Sequence, residues 1–175
     1  LTPDVLRELG ELLDSVRGRD DVRGLIFKSA KAGIFTAGMD IEVTASFTDA
    51  FKAAEGARFG QIVFQKVADL PVPSACAING VCLGGGTELA LACTVRVAAD
   101  SKAVKIGLPE TQLGIIPGFG GTQRLPRLVG LVPSLDLILS GRALDAKRAQ
   151  RLGLLDLVVP EAYLERETVK LMLKA

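Results

Sequence analysis

Two carboxylates stand in settings unusual for charged residues. Glu88 follows Gly84-Gly-Gly-Thr87 and precedes five apolar residues, Leu89 to Cys93. Glu110 follows Gly107-Leu-Pro109 and precedes Thr111-Gln-Leu-Gly-Ile-Ile116. Withdrawal from water raises a carboxyl pKa, and two such groups in one partly dry pocket can hold different protonation states. One then donates a proton while the other accepts. Spacing alone leaves alternatives open: a helix-start charge for Glu88 and a surface loop acid for Glu110. The chain contains no histidine, which excludes histidine-based triads and imidazole acid–base chemistry and directs the search to carboxylates.

The triplet Gly84-Gly85-Gly86 stands at a helix start, where backbone amides can hold an anionic oxygen. A tight strand-to-helix turn explains the same residues. A second glycine-rich run, Gly114-Ile-Ile-Pro-Gly-Phe-Gly-Gly121, follows Glu110. Neither run continues into Gly-Lys-Ser/Thr, and no Gly-x-Gly-x-x-Gly sits between a first strand and helix, so nucleotide hydrolysis and hydride transfer find little support. Asp40 either touches a ligand or orients its own loop. Cys76, Cys82 and Cys93 are too irregularly spaced for a metal knuckle and read as buried, free thiols, so no metal site is expected. The basic residues Arg124, Arg127, Arg142, Lys147, Arg148 and Arg151 read as solvated helix faces.

The elements that must position these groups alternate. Apolar spacing predicts helices over 3–18, 46–68, 120–128, 134–140 and 146–151, with a charged helix from about Glu161. Thr2 is placed to cap the first, whose stripe is Val5, Leu6, Leu9, Leu12, Leu13 and Val16; the second carries Phe47, Phe51, Ala54, Phe59, Ile62, Val63 and Val67. Strands are expected at 22–28, 74–79, 94–99, 102–106 and 154–159, and 29–40 reads as a loop rich in small residues. No linker divides the chain, so one α/β domain is expected. Its 175 residues suit a single core, and 49% apolar against 23% charged residues argues against disorder. A net charge of +1 gives no field for nucleic acid or anionic membranes. No apolar run is long enough for a transmembrane helix, and no signal segment is evident.

Several blocks, in order, resemble the crotonase, or enoyl-CoA hydratase/isomerase, family. They are Asp21-Val-Arg-Gly24, Phe35-Thr-Ala-Gly-Met-Asp40, Ala77 to Ala90, Gly107 to Pro126 and Gly141 to Pro160. The resemblance implies a ClpP/crotonase-like spiral of ββα units. It implies an oxyanion hole from the amides of Ala37 and Gly85 around a thioester carbonyl, and a substrate-binding loop of Gly38, Met39, Asp40 and Ile41. Glu88 then orients and deprotonates water attacking C3, and Glu110 delivers a proton to C2. The implied reaction is reversible hydration of trans-2-enoyl-CoA to (3S)-3-hydroxyacyl-CoA in fatty-acid β-oxidation. Double-bond isomerisation, a diverged crotonase reaction and a noncatalytic CoA-binding or assembly module are the alternatives.

The interval between Glu88 and Glu110, extended around Ala99 to Lys105, resembles the N-terminal domain of multifunctional fatty-acid oxidation complex alpha subunits. By that resemblance residues 1–175 form a partial hydratase/isomerase domain, truncated at both ends and without the dehydrogenase that follows in those proteins. No cofactor is then expected: CoA arrives as part of the substrate, and NAD would serve the dehydrogenase alone. The implied partners are the acyl-CoA thioester and either further copies of the chain or a thiolase beta subunit. The implied location is the cytoplasm in a bacterium, or the mitochondrial matrix or peroxisome in a eukaryote.

Overall fold

Helix α1 (Pro3–Val16) opens the chain, and the computed structural model describes residues 1–39 and 49–175. The Thr2 hydroxyl accepts from Val5 N at 3.3 Å, and Pro3 sits in the first turn, where a missing N–H breaks no helical bond. The face that goes inside is narrower than the apolar spacing indicates. Leu6, Gly10 and Leu13 are buried, whereas Val5 and Leu12 remain exposed.

Three repeats of one unit follow: a strand in one sheet, a strand in a second sheet, then a helix. The first is β1 (Leu25–Lys28), β2 (Ile34–Thr36) and α2 (Ala50–Ala68). The second is β3 (Ser74–Ile78), β4 (Val81–Leu83) and α3 (Gly85–Ala92). The third is β5 (Val95–Ala99), β6 (Lys105–Gly107), a 3-10 turn (Glu110–Leu113) and α4 (Gly121–Val129). Then come α5 (Leu131–Ser140), β7 (Ala143–Leu144), α6 (Ala146–Arg151), β8 (Leu157–Val159), a second 3-10 turn (Glu161–Tyr163) and α7 (Leu164–Met172). The first sheet has the order β1-β3-β5-β8 and is parallel throughout. The second has the order β2-β4-β6-β7, with β7 antiparallel to β6. The expected α/β spiral of ββα units is present.

Three differences from the sequence reading have physical causes. Strand β2 lies inside the stretch read as loop, and β4 and β7 lie where patterning gives no element, because two or three residues are too few to show alternation. The last strand begins at Leu157 rather than at residue 154. Leu154 and Leu155 are instead core residues after α6, and Asp156 accepts from Arg96 N at 2.6 Å. Helix α2 begins at Ala50, capped by Asp49, which accepts from Lys52 N at 2.8 Å. Its buried face is Gly60, Val63, Phe64 and Val67; Phe51, Phe59 and Ile62 are exposed, and Phe47 lies outside the described residues.

The core fills the space between the sheets and the helices, and β3 and β5 are buried along their whole length. Arg96 is tolerated in buried β5 because Asp156 pairs with it at 2.9 Å and Cys93 O accepts from its Nη1 at 2.8 Å. Cys76, Cys82 and Cys93 are free and buried as expected, and burial pushes the Cys76 thiol up and the Cys82 thiol to about 12.

Topology then fixes where chemistry can gather. Because β2, β4 and β6 are parallel neighbours, their carboxyl ends share one edge of the second sheet. Chain leaving that edge forms ligand crevices in α/β folds generally. Here it is Ala37-Gly38-Met39 after β2, Gly84-Gly85 after β4 and Leu108-Pro109-Glu110 after β6.

Candidate functional site

The three loops meet because two of their glycines lack side chains. Gly38 (φ +94°) packs so closely that a Cβ would lie 3.1 Å from Leu83 O and 3.5 Å from Gly85 N. Gly84 (φ +54°) admits the Glu110 carboxyl, whose Oε1 would be 3.0 Å from a Cβ there. Both backbone conformations are ones that side chains rarely adopt. Gly85 is the first residue of α3, so its amide has no acceptor within the helix and is free to bind an oxygen at the positive end of the helix dipole. Leu1 packs beside these loops, its amino group donating to Gly38 O and its Cδ1 facing Gly85.

Thr87 pins the start of α3 to the sheet. Its hydroxyl lies 2.7 Å from Cys82 O on β4 and 2.8 Å from Gly107 O on β6, and it accepts from Gly107 N at 3.3 Å. With Gly84 N donating to Gly107 O at 3.0 Å, the helix start has little freedom to move. One turn into this anchored helix comes Glu88, only 2% exposed.

Glu88 Oε1 accepts from Phe119 N and from Gly121 N, each at 2.8 Å. Burial pushes its carboxyl up to about 7, and the nearby Glu110 adds to the rise. The two amides and the positive charge of Arg124 oppose it. Glu110 is half-buried, and burial raises its carboxyl as well. Its Oε2 is buried without a hydrogen-bond partner among the described residues. Burial thus favours the neutral form of both carboxyls, and at Glu88 the two amides on Oε1 offset it only in part.

Both glutamates line one cavity of about 880 Å³, together with Ala37, Gly38, Met39 and Gly85. Six of the eight residues singled out in sequence thus face a common space. Asp40 and Ile41 lie outside the described residues. Leu113, Ile115, Ile116, Pro117 and Phe119 give the same cavity an apolar wall. A space with two perturbed carboxyls, a helix-start amide without a partner inside its own helix and an apolar wall suits proton transfer on a substrate with a carbonyl and a hydrocarbon chain.

Sequence reasoning noticed the Gly114–Gly121 run but gave it no task, and the structure assigns it two: the apolar wall and the amides that hold Glu88. It also placed Arg124 on a solvated face, which the structure corrects. Arg124 is half-buried, donating from Nη1 to Phe119 O and from Nη2 to Gln65 Oε1, each at 3.0 Å. The other five basic residues are solvated as expected, although Arg142 lies between α5 and β7 rather than on a helix. Arg127 and Arg151 are exposed, and Arg142, Lys147 and Arg148 make surface pairs with Asp136, Asp100 and Asp145.

Comparison with known proteins agrees with this geometry. The family model described as enoyl-CoA hydratase/isomerase matches residues 1–175. The fatty acid oxidation complex subunit alpha of Vibrio campbellii is 50% identical over 157 residues, covering 90% of this chain and 22% of that protein. The chain thus spans about a fifth of the length of the curated relatives it matches. Among solved structures, an enoyl-CoA hydratase from Bacillus anthracis superposes with a TM-score of 0.92 at 39% identity, covering 99% of this chain and 66% of that one. Human mitochondrial delta3-delta2-enoyl-CoA isomerase superposes at 0.89 with 29% identity, covering 98% and 66%. No helix among the described residues is long and apolar enough to cross a membrane. In sequence and in fold, the chain belongs to the enoyl-CoA hydratase/isomerase, or crotonase, family.

Proposed function

We propose that the protein catalyses reversible addition of water to a trans-2-enoyl-CoA, giving the (3S)-3-hydroxyacyl-CoA. The observation that carries this reading is the pair of carboxyls, buried Glu88 and half-buried Glu110, facing one cavity. Addition of water needs a base for the attacking molecule and an acid for the neighbouring carbon. The pair supplies both when it holds one proton.

In the proposed step the thioester oxygen lies against the amides of Ala37 and Gly85. They stabilise the negative charge that grows there as the double bond is attacked. Hydrogen bonds to Glu88 fall on Oε1, which leaves Oε2 for the water. Glu88 takes a proton from that water as its oxygen bonds to C3. Glu110, whose unpartnered Oε2 favours the protonated state, gives its proton to C2. Dehydration reverses each transfer. The acyl chain would run along Leu113, Ile115 and Ile116, and CoA enters as the substrate's carrier. Membership of a fatty-acid oxidation complex is supported by the relatives named alpha subunit.

The test is hydration of crotonyl-CoA, read as loss of the conjugated thioester's ultraviolet absorbance. The expected result is loss of absorbance with formation of 3-hydroxybutyryl-CoA. If a 3-enoyl-CoA is converted to the 2-enoyl form while no water is added, the reaction is isomerisation and the hydration proposal is wrong.

A further inference from the structure

Glu88 is held by a turn that has a brace of its own. Phe119 N and Gly121 N hold the carboxyl, while Phe119 O accepts from Arg124 Nη1 at 3.0 Å. The other arm of the guanidinium reaches Gln65 Oε1 on α2, so Arg124 ties the turn to the long helix behind it. The turn is shaped for this. Gly120 has φ +111°, and a Cβ there would lie 2.2 Å from Arg124 Nη1. The guanidinium therefore occupies the space that a side chain at residue 120 would need.

Arg124 does not face the glutamate cavity. It lines a separate outer cavity of about 700 Å³, whose wall includes Phe119, Thr122 and Gln61, residues that also line the inner one. The charged groups around this arrangement come from four elements. Glu88 on α3 and Asp69 at the end of α2 act on Arg124. Glu110 on the 3-10 turn acts on Glu88. Arg58 on α2 and Arg127 on α4 line the outer cavity with Arg124.

We propose that Arg124 is a positioning residue, which fixes the Phe119–Gly121 turn and through it the orientation and charge state of Glu88. It acts through backbone and electric field, without touching the reactant. The inference rests on the reading of Glu88 as an acid–base group, but its test does not depend on turnover.

The test is a carbon-13 NMR titration of glutamate-labelled protein, with the Glu88 signal assigned by its loss in Glu88→Gln. In Arg124→Met the Glu88 midpoint is expected to rise by about one pH unit, because a nearby opposite charge and its brace are gone. In Arg124→Lys, which restores the charge without the fork to Gln65, the midpoint returns about halfway. Where hydration is measurable, kcat falls about tenfold in Arg124→Met, more than KM changes. An unchanged midpoint in folded Arg124→Met overturns the proposal. If that variant does not fold, Gln65→Leu releases the outer arm alone and should raise the midpoint by about half as much; no change there also overturns it. A protein that shows these shifts but adds no water to crotonyl-CoA supports the role of Arg124 and defeats the hydratase reading, so the two failures are distinct.

Discussion

Replacing Glu88 with glutamine should stabilise the fold at alkaline pH. Burial raises the folded carboxyl from 4.5 to about 7. A carboxyl with a raised pKa favours the folded state fully below pH 4.5, and that advantage is lost as pH rises through 7. The gap corresponds to about 3 kcal/mol once both states are ionised. Glutamine keeps an oxygen to accept from Phe119 N and Gly121 N but carries no charge, so it escapes this loss. Glu88→Gln should therefore gain about 3 kcal/mol on the parent at pH 8 and only about 1 kcal/mol at pH 5. Urea unfolding followed by far-ultraviolet circular dichroism measures both, since the chain has no tryptophan and a single tyrosine. A difference between variant and parent that is the same at both pH values would refute the reasoning. Such a gain in stability is what a group placed for chemistry rather than for folding should give.

Two further substitutions test how the site is positioned. Thr87→Val keeps the shape but removes the hydroxyl that ties α3 to β4 and β6, and should cost about 2 kcal/mol in urea unfolding. Gly120→Ala combines a positive φ with a clash on Arg124 Nη1. It should cost about 1–3 kcal/mol and raise the Glu88 titration midpoint in the same sense as Arg124→Met, both readable in one labelled sample.

The sequence carried the long-range plan of the site better than its local form. Helices α1 and α2 showed through their periodicity, α1 also through its cap Thr2, and β3 and β5 as short runs of small and β-branched residues, β5 interrupted by Arg96. The strands that present the site did not show, because β2 and β4 have only three residues each, too few for any period. Glu88 and Glu110 stood out as acids among apolar and glycine residues, and the family motifs pointed to Ala37 and Gly85. What stayed hidden was cooperation between distant segments. No spacing rule says that Phe119 N and Gly121 N reach back to Glu88, or that Arg124 lies over the turn. Arg124 looked like any surface arginine because its partners are a backbone oxygen and a glutamine, which leave no charge pattern in sequence.

The central claim is that Glu88 and Glu110 act together on one substrate. The most direct measurement is the rate of crotonyl-CoA hydration by the parent, Glu88→Gln and Glu110→Gln, with folding of each checked by circular dichroism. Each variant is expected to lose at least about a hundredfold in kcat. Folded glutamine variants that hydrate crotonyl-CoA at the parent rate would contradict the claim.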